Sequence, residues 1–582
     1  MLVELPILKD FSDADYKVAE QLIRSLYFRL TNNLGPTSLP YYMDKFSSHL
    51  EANKLIYALA KDNVIKTSVR YNYAEIELNR DYLLQDMSES ELFELIRENK
   101  LTNYAPITSD RVTSAIAGAT RVKLSSGLTR SGLVRLGFAK AGTHPFKYDI
   151  PMLQKYYNEV VAYSVKAMVA MEAKLGRSLR HREFIDYEST IRATIDYIIS
   201  SDNEFILGEL TCDSRGRAIY ACLSTIFNPI ANKCARALVK HAPTPIPDAS
   251  YLDNAYLAIA ELISGFNSDI DAKLVQGQEY FASRKLHADL SNDDIYENIW
   301  LERLYNDIEA YLVNPSHAFT TPIELDFSSS NMVIIGLLLG HSDYIDHTKY
   351  MWEIEGLSKL HVKKAQTPYV FGSRAPIPRL WKKAKLEFTL DQVQLMKYHQ
   401  AHGKYVVANT LKDILVMHSH PTAVMQLHVG NEKFTVECNR HKYVGDTTKQ
   451  YVVYDTSSAQ FKIISHTSTV KVPDLPRFKT YFPTGLIHNC DSQVMDGICK
   501  GMEWIIPVHD AGLITLAEAP KFRSLAVTEM HKLRDNGDAI LFNYFKSVNL
   551  DDDGWKKYAR LQADIRRLNE GKVINITQYL LK

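Results

Sequence analysis

Residues 504 to 516, WIIPVHDAGLITL, are almost wholly apolar apart from His509 and Asp510 at their centre. A run of this kind must be buried, and its length and turn-forming middle read as two short strands around His509, Asp510, Ala511 and Gly512. IELDF, residues 323 to 327, is a third short strand, with Ile323 and Leu325 on one face and Glu324 and Asp326 on the other. The chain must therefore build a buried sheet while leaving an acid, Asp326 or Asp510, at the end of an apolar strand. There a carboxylate is held rigidly and can still face a cleft. EFILGELTCDSRGRAIYACL reads as two further strands around a turn of Asp213, Ser214, Arg215, Gly216 and Arg217. Gly216 supplies the backbone freedom a tight turn needs, and the two arginines are expected to project from its tip.

The 582 residues are enough for several subdomains with a cleft between lobes. No apolar run approaches the roughly 20 residues that span a membrane, so a soluble protein with no membrane partner is expected. The six cysteines, at 212, 222, 234, 438, 490 and 499, form no CxxC pair, which argues against a zinc ribbon and suits a reducing compartment. The N-terminal MLVELPILKDFSDADYK carries early acids and lacks the order of a signal or transit peptide. A cytoplasmic location follows as the expectation, the host cytoplasm if the chain is viral.

Net charge is zero, but its distribution is uneven. Residues 111 to 148 carry seven bases and no acid, and residues 356 to 386 carry Lys359, Lys363, Lys364, Arg374, Arg379, Lys382, Lys383 and Lys385, again without an acid. For one such run alone a solvated face is the commoner explanation. From Pro151 onward, apolar residues recur every three or four positions from Leu153 to Met168, the signature of one long helix. Residues 405 to 490 alternate apolar and polar side chains, as in QYVVYD and QFKIIS, and read as a strand-rich insertion. Lys359, Lys363, Thr367 and Phe371 recur every four residues and share a helical face, which Pro368 kinks.

Lysines on such a face suit triphosphate oxygens, and the ring suits a base or sugar. Asp326 and Asp510 suit magnesium, which takes oxygen ligands and few protein carboxylates. Two ions about 4 Å apart activate an attacking hydroxyl and stabilise a leaving pyrophosphate. Either aspartate alone would more often be a cap or turn residue.

Taken in order, these segments resemble the single-subunit DNA-dependent RNA polymerases of phages and mitochondria, from about residue 205 to the C-terminus. DSRGR is similar to the family's DxxGR element, which implies template and hybrid contacts for Arg215 and Arg217. Asp326 matches the first metal-binding aspartate, with the Phe327 carbonyl as a further ligand. KKAQTPYVFGS resembles the fingers helix, which gives Lys363 the phosphate contact and general-acid role, Lys359 a supporting one and Phe371 the insertion site. VHDAG matches the second metal motif through His509 and Asp510, and IHNCDS resembles the element whose His488 touches the growing base pair. The resemblance implies an α+β, mainly helical right hand with palm, fingers and thumb plus a small N-terminal domain. The corresponding segments are 1–148 (N-terminal, template or promoter binding), 149–205 (thumb-like helices), 206–342 (palm), 343–487 (fingers with the insertion) and 488–582 (palm). It further implies two Mg2+ ions, a DNA template, nascent RNA, nucleoside triphosphates and room for an accessory protein in promoter recruitment.

Three departures stand out. Phe371 replaces the family's usual tyrosine, so ribose selection falls to another group such as His488 or is relaxed. Phe327 and three serines follow Asp326 where glycine is usual, and the interval to Lys363 is short. A primase or DNA polymerase of the same superfamily is the second reading, favoured by Phe371. A catalytically silent nucleic-acid-binding protein is the third, opposed by the intact Asp326, Lys363 and Asp510.

Overall fold

The computed structural model describes residues 12–31, 37–70, 73–83, 107–108, 135–174, 181–201, 203–207, 210–213, 215–220, 228–230, 232–264, 270–287, 294–327, 330–341, 405–438 and 441–570, with positions 91, 133, 389 and 391. It is mainly helical with several small sheets, an α+β arrangement. Among the described residues no helix is long and apolar enough to cross a membrane.

The chain divides into two compact units. The first comprises residues 1–103 and 441–472 and the second residues 104–440 and 473–582. In the first, helices Asp13–Thr31 and His49–Lys61 cover a three-stranded antiparallel sheet whose middle strand is Tyr73–Leu78. The paired strands His441–Asp455 and Gln460–Pro473 join them, placing Tyr451, Val453 and Ile464 in the same core as Leu22, Leu55 and Ile76. Backbone and hydroxyl groups of Thr67 and Thr456 exchange hydrogen bonds that seal this contact.

In the second unit the organising element is the helix Tyr481–Gly501, buried along most of its length. Phe482, Leu486, Cys490, Val494 and Ile498, spaced by four, form its apolar stripe. Helices Leu136–Gly142, Ser330–Leu339, Tyr405–Met417 and Ala519–Asp535 pack around it. Ser330–Leu339 is apolar on every side and accordingly buried. Beside this bundle lies a three-stranded antiparallel sheet, Ile323–Asp326, Ala511–Ile514 and Ile505–Val508, with Ala511–Ile514 in the middle.

Two sequence expectations change here. The long helix expected from Pro151 is two helices, Ile150–Lys155 and Tyr157–Lys174, interrupted at Tyr156, whose hydroxyl reaches the Glu302 carboxylate at 2.5 Å. The strand-rich region is narrower than 405–490, because helices Tyr405–Met417 and Tyr481–Gly501 occupy its two ends and the strands run from Val424 to Pro473. The alternation in QYVVYD and QFKIIS belongs to the long hairpin alone.

Candidate functional site

Asp326 closes its strand opposite Ala511, so Asp510 is the next residue along the neighbouring backbone. The Phe327 amide donates to the Asp510 carbonyl oxygen at 3.4 Å, extending the pairing one step past the sheet. Both aspartates are therefore carried at the same end of one sheet. Each is partly exposed, although the strands Ile505–Val508 and Ala511–Ile514 are buried throughout. The Phe327 ring turns into the core and stacks on Phe522. Glu324, on the same strand face as Asp326, is taken by Arg236 at 2.9 Å.

His509 and Asp510 form a two-residue hairpin turn, since Val508 pairs with Ala511. His509 adopts φ 59°, a left-handed conformation that glycine or asparagine would occupy more cheaply. Its side chain is exposed.

The turn between strands Leu210–Cys212 and Ala218–Tyr220 is stapled by its own acid. The buried Asp213 carboxylate accepts from the Arg215 amide at 2.9 Å, the Arg217 amide at 3.0 Å and the Arg215 guanidinium at 2.7 Å. Gly216 has φ +83°, and a Cβ there would lie 2.6 Å from Asn489 Nδ2. Only glycine fits this approach to the central helix. The Ser492 hydroxyl donates to the Gly216 carbonyl from that helix.

Arg217 does not project from the turn tip as expected. Its side chain is only 13% exposed and pairs with Asp491 of the central helix. The reason is that a buried carboxylate such as Asp491 needs a counter-charge. Burial pushes the Asp491 carboxyl up, with the Arg217 guanidinium opposing and the nearby Asp510 charge adding to it.

His488 lies one helical turn before Asp491 and is buried on the same helix. Burial lowers its pKa to about 2, and the positive charges of Arg217 and Arg215 reinforce the shift. The imidazole is thus neutral near pH 7 and carries no positive charge.

Behind the turn, Arg135 is buried and bonds Glu432 at 2.6 Å and both the backbone and side-chain oxygens of Asn489 at 3.4 Å. Lys140 of the same basic stretch is spent on the Lys500 and Met502 carbonyls. Arg135 is thus an internal brace, whereas Lys140 caps the end of the central helix from the exposed surface. Lys359, Lys363 and Phe371 lie outside the described residues.

The structure therefore gathers Asp326, Asp510 and His509 on one sheet end, and Arg215, Arg217 and His488 around one helix. The Arg217 and Asp510 charges link the groups electrostatically. Sequence reasoning missed the structural parts of Asp213, Asp491, Asn489 and Arg135. The four-residue stripe from Phe482 to Ile498 was the available signal for the helix, and it puts His488 and Asp491 a turn apart. No model of a known protein family matches the chain, and no match is found among curated proteins.

Proposed function

We propose that the chain is a single-subunit, template-directed nucleotidyl transferase, with DNA-dependent RNA synthesis as its activity. The observation that carries the reading is the sheet register, which sets Asp326 opposite Ala511 and so beside Asp510. The DSRGR turn and His488 are docked on one helix, and Arg217 feels the Asp510 charge.

The donor set suits magnesium. Asp326 and Asp510 are hard oxygen ligands at a partly exposed sheet end, whereas Asp213, Asp491 and Glu324 are occupied by arginines. Among the described residues no three His, Cys, Asp or Glu side chains form a ready-made metal cage, and magnesium bound mainly through water and phosphate needs none. Asp326, Asp510 and the Phe327 carbonyl would hold two ions, which lower the cost of a primer hydroxyl attacking a triphosphate. Lys363 contacts the phosphates and gives its proton to the departing pyrophosphate, with Lys359 as a second phosphate contact. Phe371 stacks at the insertion site, and neutral His488 hydrogen-bonds the growing pair. Arg215 faces template and hybrid, while Arg217 is drawn inward by Asp491 and anchors the turn that carries it. The partners are a DNA template, nascent RNA and nucleoside triphosphates.

Phe371 favours one second reading, a primase or DNA polymerase of the same hand, because it lacks the hydroxyl that would test a ribose. Extension of one primed template with ribo- or deoxyribonucleotides separates the two. Asp510→Asn and Asp326→Asn should each cut extension on the order of a thousandfold, the several kcal/mol a metal supplies to the transition state. Salt-dependent DNA binding should persist. Extension that survives Asp510→Asn removes this assignment.

A further inference from the structure

The outer face of the long hairpin in the first unit is unusual for a sheet surface. Burial of Tyr451, Val453, Asp455 and Ile464 directs Thr448, Gln450, Val452 and Tyr454 of one strand, and Phe461, Ile463 and Thr467 of the other, outward. The Thr448 and Thr467 hydroxyls bond at 3.1 Å across this face. Near the hairpin turn it carries rings where polar side chains would be ordinary. Tyr454 and Phe461 lie 5.2 Å apart, and Tyr57 of helix His49–Lys61 completes the group at 5.1 and 5.4 Å.

The geometry is that of a platform. Tyr57 and Phe461 are tilted by only 33°, while Tyr454 meets Tyr57 edge-on at 88°. The third ring therefore props the other two without covering them. Tyr57 is 37% and Phe461 57% exposed, with Ile463 beside them at 69%. Lys54 and Lys61, one turn before and after Tyr57, are exposed on the same helical stripe. Lys54 also pairs with Glu51 at 2.7 Å, an exposed contact that a phosphate can compete with. The described outward positions from Thr448 to Tyr454 and from Phe461 to Thr467 include no carboxylate.

We infer that Tyr57, Tyr454 and Phe461 form a stacking site for single-stranded nucleic acid, with Lys54 and Lys61 against its phosphates. Flat rings stack on unpaired bases without regard to sequence, and flanking ammonium groups follow the backbone. Rings of this kind on adjacent strands of an exposed sheet serve bases that have left the duplex. The site's rings belong to the first unit, and Asp326 and Asp510 to the second. It extends the polymerase reading by adding a second hold on an unpaired strand, and its test does not depend on catalysis.

The experiment uses the full chain carrying Asp510→Asn and a short oligodeoxynucleotide containing 5-iodouracil. Photocrosslinks should map to peptides bearing Tyr57, Tyr454 or Phe461. The added pair Tyr57→Ser and Phe461→Ser should weaken single-strand binding roughly tenfold to a hundredfold. Tyr57→Phe with Phe461→Trp should restore it, and Lys54→Gln with Lys61→Gln should lessen the salt dependence. Crosslinks confined to other peptides, or unchanged affinity in the serine pair, overturn the inference. So does a serine pair that abolishes self-association of the chain while binding the oligonucleotide normally, since the rings would then be an interface between copies. Wild-type protein that crosslinks at these rings and extends no primer would sink the polymerase reading and leave this site standing.

Discussion

At the scale of single residues, the strongest statement concerns a proton. His488 is enclosed by protein, and its neighbours Arg215 and Arg217 are cationic, so the folded chain rejects the charge that an unfolded chain accepts below about pH 6.5. Its folded pKa, about 2, is depressed, so its contribution is fully present above pH 6.5. It is lost progressively as pH falls from there toward 2. Between pH 6 and pH 5 this one group should remove about 1 kcal/mol of stability. Urea unfolding at pH 7, 6 and 5 checks the point through His488→Gln. His144, His241 and His509 are shifted the same way and Asp491 the opposite way, so the wild-type slope sums several groups and the difference between wild type and variant isolates His488. The variant's acid limb should be flatter than wild type by up to one proton. Equal slopes would mean that His488 is protonated in the fold, and the neutral imidazole on which its proposed role rests would be lost.

At the scale of elements, the hairpin Ile505–Ile514 pairs a buried, apolar body with a strained tip. A β-substituted residue at φ 59° costs about 1–2 kcal/mol, and β-branching makes it worse. His509→Gly should therefore melt within about 1 kcal/mol of wild type, relief of strain offsetting the greater freedom of the unfolded chain. His509→Val should fall about 2 kcal/mol below the glycine variant. Thermal melts in which the valine protein matches the glycine protein would show that the turn relaxes freely. The same hairpin explains what could be read from sequence. Its strands were legible because WIIPV and AGLIT are too apolar for any exposed element, and IELDF because its alternation leaves Asp326 on the open face. The turn of DSRGR was legible for a similar local reason, its glycine. The direction of Arg217 was not, because the carboxylate that draws it inward, Asp491, lies far along the chain. The helix carrying His488 and Asp491 was obscured by small and polar residues, HNCDSQ, which look like a loop until Phe482, Leu486, Cys490 and Val494 are counted together. The pairing of Asp326 with the residue after Asp510 is likewise a fact of register that composition does not encode.

At the scale of the whole molecule, two separate cores serve one chain, and the hairpin His441–Asp455 with Gln460–Pro473 crosses between them in sequence. The first unit depends on it. Tyr451, Val453 and Ile464 are buried there, and the Tyr451 hydroxyl reaches Asp44 at 3.1 Å. Removing Tyr451 and Val453 together, as Tyr451→Ala with Val453→Ala, should cost about 5 kcal/mol or more from cavity formation alone. That is comparable to the entire stability of a small domain. Amide hydrogen exchange is the suitable measurement, because it reports each unit independently. Protection should collapse across Asp13–Thr31 and Ile65–Leu78 while the helix Tyr481–Gly501 and the strands Ile505–Ile514 keep theirs. Loss of protection in both sets together would mean that the chain unfolds as one cooperative body and that the two cores are not independent.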